Sequence, residues 1–177
     1  MMTFFSRNTK SIFMGLSRLL FVAAVITALA GWSQAAEKKD FETALKNNGC
    51  KSIPYKDLQK KCVNEQKDVH RLCDRPHSCS SKNKDFKKIM KKLKKKGDKE
   101  KEIKARIKIA DDCINQREAV MKVFDDTQDR LKKEKGDLAE MAKDLIKKIQ
   151  SGESGHKKAI AIQKNAKKTC EGSLKGI

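Results

Sequence analysis

IKARIKIADDCINQREAVMKVFDDTQDRL, residues 103 to 131, is the stretch whose reading decides the fold. Its apolar positions recur at 103, 107, 110, 114, 121 and 124 and close on Leu131, while Arg117 and Gln128 stand where the pattern calls for apolar residues. The steps alternate between four and three. The same rhythm continues through Lys135 to positions 138, 142, 145 and 149. Such spacing keeps one stripe on one face of a helix, and a mean step of about 3.5 residues is that of a coiled-coil seam. The alternation expected of a half-buried strand is almost absent from the chain. The fold class expected is all-α: an elongated helical hairpin or bundle with a coiled-coil-like heptad seam, stapled by disulfides.

Punctuation divides this helical pattern. KKKGD at 94 to 98 and KEKGD at 133 to 137 each place a glycine that can cap one helix before an aspartate that can cap the next. The first reads as the turn of a Lys-rich hairpin at about 82–108. At the second, the seam favours continuity and the capping chemistry a break; a turn or kink at Gly136 is expected. SGESG, 151 to 155, reads as a loop before a last helix that ends near Cys170. Upstream, Tyr55, Leu58, Cys62, Gln66, Val69 and Cys73 form another helical stripe, with Pro54 at a plausible first position and Pro76 beyond its end. A short basic helix follows, striped by Phe86, Ile89, Met90 and Leu93.

The other end of the chain sets the compartment. Residues 1–36 carry Arg7, Lys10 and Arg18, no acidic residue, and the apolar run LLFVAAVITALA from Leu19 to Ala30. Small residues at Ser33 and Ala35 then suit a signal peptidase, with cleavage after Ala35 or Ala36. The unbroken apolar run is shorter than the roughly 20 residues of a membrane-spanning helix. The chain is therefore expected to be exported, periplasmic or secreted, with 37–177 as a single all-helical domain and no membrane span in the mature part.

Cleavage leaves 39 basic residues against 23 acidic ones, a net charge of +16. Leu, Ile, Val and Phe make up only 26 of the remaining 141 residues, a fraction at which charged chains tend to stay unfolded. Helical regularity and disulfides are what argue for order. All six cysteines, Cys50, Cys62, Cys73, Cys79, Cys113 and Cys170, follow the cleavage site, and an even number in an exported chain reads as a disulfide set. Within HRLCDRPHSC, 70 to 79, the donors His70, Cys73, His77 and Cys79 match no common zinc spacing. No metal and no cofactor is assigned. Cys62 and Cys73 lie 11 residues apart on one helix, about 16 Å at its rise, too far to bridge. If the chain turns at Gly97, Cys113 returns to the level of Cys73 and Cys79, and a link from Cys113 to one of them is expected. If it turns back at SGESG, Cys170 falls near Cys50 and Cys62, which leaves an odd number of cysteines at each level.

Residues 82 to 96 hold nine lysines against Asp85 alone. Lys84, Lys87, Lys88, Lys91, Lys92 and Lys95 are the candidate contacts to an anionic envelope polymer or an acidic protein partner. Nucleic acid is the weaker expectation, since the mature chain keeps only Phe41, Tyr55, Phe86 and Phe124 as stacking aromatics. Catalysis has little footing. GESGHK, 152 to 157, lacks the spacing of a phosphate loop or a nucleophile elbow, and His156 reads as a surface residue. The echo of KIADD and KVFDD, 14 residues apart, reads as a repeated pair of heptads whose acids face lysines. The expected function is non-enzymatic binding through the basic hairpin; the alternative is a structural or inhibitor-like protein that self-associates through its seam.

Overall fold

The computed structural model describes residues 37–177. The expected leader, 1–36, lies outside them. A short helix α1 over 37–45 leads into a 3-10 turn, Gly49–Ser52, and then α2 (Lys56–Cys73), α3 (Lys84–Lys92), α4 (Lys96–Leu131) and α5 (Asp137–Lys175). Among the described residues every regular element is helical. The fold is all-α and disulfide-stapled.

Helix α4 is the central element. It packs against α5 along one side and α2 along another. Pairings across both contacts show antiparallel order. Asp57 meets Arg130, Lys61 meets Asp126 and Glu65 meets Gln116, while Gln128 meets Glu153 and Asp111 meets Lys167. One acid of each echoed motif, Asp111 and Asp126, thus faces a lysine of a neighbouring helix.

Having two neighbours widens the buried face beyond one seam. Positions 103, 110, 114, 124 and 131 are buried as the heptad reading expects, and so is Gln128, but Arg106, Cys113, Val120 and Thr127 lie deeper than 107, 114, 121 and 128, each one residue later. Three of those four have polar or ambiguous side chains, which hid the row. Thr127 satisfies its hydroxyl by donating to the Val123 carbonyl at 2.7 Å, the usual economy of a buried threonine in a helix.

The break at Gly136 is present. α4 ends at Leu131, and Gly136 precedes α5 with φ 59° and ψ −140°, a conformation from which a Cβ is excluded. Gly97 behaves differently. α3 ends at Lys92 and α4 begins at Lys96, so Gly97 lies inside the first helical turn and caps nothing. Nor do α3 and α4 run along each other as a hairpin; they meet at Phe86, whose ring lies 5.0 Å from the Arg106 guanidinium. Pro54 stands outside α2, whose N-cap is Tyr55.

SGESG is not a loop. Helix α5 runs through it without interruption because α4 supplies what local propensity lacks. A Cβ at Gly152 would touch the Phe124 ring at 3.6 Å, and Glu153 accepts hydrogen bonds from Gln128 and Lys157. Two glycines cost a helix about 1 kcal/mol each relative to alanine, an amount that burial of neighbouring Ile149 and Ile160 outweighs.

The uninterrupted α5 also resolves the odd count of cysteines. Cys170 lies at the level of the α2–α3 connection, not near Cys50. The bridges are Cys50–Cys62, Cys73–Cys113 and Cys79–Cys170, with Cα separations of 5.4, 5.0 and 4.8 Å. The expected link from Cys113 falls on Cys73.

Two apolar clusters result. The larger holds Phe41, Ile53, Val69, Phe124, Leu131 and Leu145 among others, and closes around Tyr55, which donates to Glu134 at 2.6 Å and lies under the Arg130 guanidinium. The smaller, at the opposite end of the α4–α5 pair, consists of Cys79, Phe86, Ile103 and Cys170, flanked by Met90, Ile107, Leu174 and Ile177. This second cluster carries α3.

Candidate anion-binding site

Helix α3 owes its start to Asn83, whose side chain accepts from the Phe86 amide at 3.0 Å. Its remaining support is Phe86 itself, 6 % exposed and seated on the smaller cluster. Ile89, Met90 and Leu93 of the expected stripe are only half-buried. The helix is short, with one fully buried anchor, and most of its exposed residues are lysines.

All nine lysines of 82 to 96 are exposed, including the six candidates Lys84, Lys87, Lys88, Lys91, Lys92 and Lys95. Among the described residues none of the nine lies within ion-pair distance of a carboxylate. The contrast with the bundle is sharp: there Lys61, Lys132, Lys143, Lys147, Lys157, Lys164 and Lys167 each meet an acid. Individual surface pairs stabilise little, but their distribution shows where negative charge is lacking. It is lacking around α3.

The structure adds residues that sequence reasoning missed. Lys99, from the first turn of α4, faces Lys87 and Lys91 across a groove of about 390 Å³ whose floor includes Phe86, Met90 and Ile103. Arg106, next to the groove but not lining it, is 3 % exposed. It donates to the Ser78 carbonyl at 2.8 Å and to Glu102 at 2.7 Å while its plane covers Phe86. A guanidinium suits this position because its planar fork serves two acceptors and a ring at once. The signal in the sequence was slight: Glu102 and Arg106 have the four-residue spacing of a helical ion pair, indistinguishable from many exposed ones.

HRLCDRPHSC divides among three environments. Cys73 and Cys79 are each bridged, so neither thiolate is available to a metal. His77 Nδ1 lies 2.7 Å from the Arg75 carbonyl, a local turn contact. His70 projects from α2 into a different hollow, of about 420 Å³, shared with His156 of α5. No group of three or more metal-ligating side chains occurs among the described residues.

His156 is not the surface residue the sequence suggests. It is half-buried, with its ring 5.8 Å from Phe124 in an edge contact and its Nδ1 without a hydrogen-bond partner. Burial pushes its pKa below the ordinary histidine value, and the positive charge of Arg117 pushes the same way. Arg117 is itself lowered by burial, partly offset by Asp74.

No family model, no curated protein and no solved structure matches this chain.

Proposed function

We propose that this is an exported, non-enzymatic binding protein in which α3 and its flanks contact an anionic component of the cell envelope. The observation that carries the reading is the set of nine exposed lysines in 82 to 96, without carboxylate partners among the described residues, beside a bundle in which seven lysines meet an acid. A solvated lysine face gains little from intramolecular pairing and much from a polyanion that releases its counterions on contact. Export is supported by the leader-like composition of 1–36 and by three bridges of the kind an oxidising compartment maintains. Among the described residues no helix is long and apolar enough to cross a membrane.

Retention on an anionic matrix such as heparin, followed as a function of salt, tests the proposal. The native protein is expected to elute late and with steep salt dependence. Charge reversal at Lys87, Lys88, Lys91 and Lys92 is expected to abolish retention while the helical circular dichroism stays unchanged. Equal elution of the two proteins refutes the reading.

A further inference from the structure

The groove beside α3 offers more than charge. Its floor is apolar: Met90 of α3 and Ile177 are half-buried and open to it, above Phe86 of α3 and Ile103 of α4, which are 6 % and 0 % exposed. Three lysines stand around it, Lys87 and Lys91 on the α3 bank and Lys99 on the α4 bank. Lys87 and Lys91 are four residues apart, hence on one edge of the helix, one turn from each other. A purely polar chain such as a polyphosphate satisfies the lysines but leaves the floor against water. A neutral lipid fills the floor and leaves the lysines unpaired. An amphiphile with one chain and one anionic head satisfies both.

We infer that this groove binds a single-chain anionic amphiphile, the alkyl or acyl chain lying over Met90 and Ile177 and the anionic head held between Lys87, Lys91 and Lys99. The inference rests on the polyanion reading above and names the ligand class of the same site. Its volume, about 390 Å³, lies at the lower end of small-molecule sites, which suits one chain and not a bilayer patch. Arg106 contributes as a positioning residue: by covering the back of the Phe86 ring and holding the Ser78 carbonyl, it keeps the floor in place without facing the ligand.

Calorimetric titration of the purified protein with octyl, decyl and dodecyl phosphate, each below its micellar concentration, tests this. Inorganic polyphosphate, dodecyl maltoside and vesicles containing phosphatidylglycerol serve as comparison probes. Burial of the chain predicts that affinity rises up to about fourfold for each added methylene. Met90→Trp, at a half-buried position where a larger side chain fills the groove, is expected to erase that chain-length dependence and leave polyphosphate binding unchanged. Lys87→Glu with Lys91→Glu is expected to weaken dodecyl phosphate at least tenfold. Alkyl phosphates whose affinity does not rise with chain length, with polyphosphate binding intact, overturn the amphiphile and leave the polyanion reading standing. Loss of both overturns both. Equal affinity for dodecyl maltoside overturns the role of the lysines, and binding to the vesicles without binding to monomeric alkyl phosphates overturns the groove in favour of a membrane surface.

Discussion

Cys79 and Cys170 are 91 residues apart in sequence and 4.8 Å apart at Cα, and their bridge joins the segment ahead of α3 to the last turns of α5. It sits inside the smaller apolar cluster, which has few other buried members. Where apolar burial is thin, a long closed loop contributes most, because cross-linking removes more freedom from the unfolded chain as the loop lengthens. In the chain-entropy model a loop of this size is worth about 4–5 kcal/mol.

Replacing both Cys79 and Cys170 by serine is accordingly expected to cost about 3–5 kcal/mol, measured from denaturant midpoints. The loss is local in its consequences: amide exchange should accelerate over 76–95 and around Ile103 while α2 and the distal half of the α4–α5 pair keep their protection. In the native protein, alkylation without reduction should modify no cysteine, since all six are bridged.

Gly136 and Gly97, which the sequence presents as twins, are expected to respond oppositely to alanine. Gly136→Ala forces a Cβ into φ 59°, ψ −140° and should destabilise by about 1–3 kcal/mol. Gly97→Ala lies within the first turn of α4 with open space around the new methyl, and should be neutral or stabilise by up to about 1 kcal/mol. Equal losses in thermal melts of the two variants contradict this assignment.

Arg106→Ala removes the donor to the Ser78 carbonyl and the cover of Phe86, with an expected loss of about 2–3 kcal/mol. Arg106→Lys should recover only part of it, because a lysine cannot reach both acceptors and lie flat on the ring. Limited proteolysis reports the change, with cleavage moving into 82–96 in the alanine variant.

Acidification is expected to destabilise the bundle before the carboxylates titrate. The folded-state pKa of His156 is depressed, so between it and the ordinary value of 6.5 the unfolded chain binds the proton more readily. The stability from neutral His156 is complete above about pH 6.5 and is lost as pH falls through the folded value. Burial and the positive charge of Arg117 from α4 set this sign; Lys51, Lys67 and His70 line the same hollow, Asp74 acts on Arg117, and Lys157 follows on α5. Glu153, lowered chiefly by its hydrogen bond from Lys157, adds a loss in the same direction only below about pH 4.5. Melting temperature should therefore fall between pH 7 and pH 5, and His156→Leu should flatten that slope. A native protein with no slope in that interval contradicts the buried neutral ring.

The helical class, the break near Gly136, the pairing capacity of the cysteines and the concentration of lysine at 82 to 96 were all legible from residue order alone. Each depends on local spacing or on composition, and those survive without knowledge of neighbours. What only the tertiary structure decided follows from one fact, that α4 has helices on two sides. Neighbouring segments bury Arg106, Cys113 and Thr127, whose polar letters concealed them, and packing on α4 draws SGESG into α5 despite two glycines. With α5 unbroken, Cys170 is carried to Cys79, His156 is pressed against Phe124, and Ile177 arrives beside α3 and Lys99 of α4 to form the groove. Local propensities amount to about 1 kcal/mol per residue, whereas packing along a long helical interface sums many buried side chains, so the interface prevailed wherever the two disagreed.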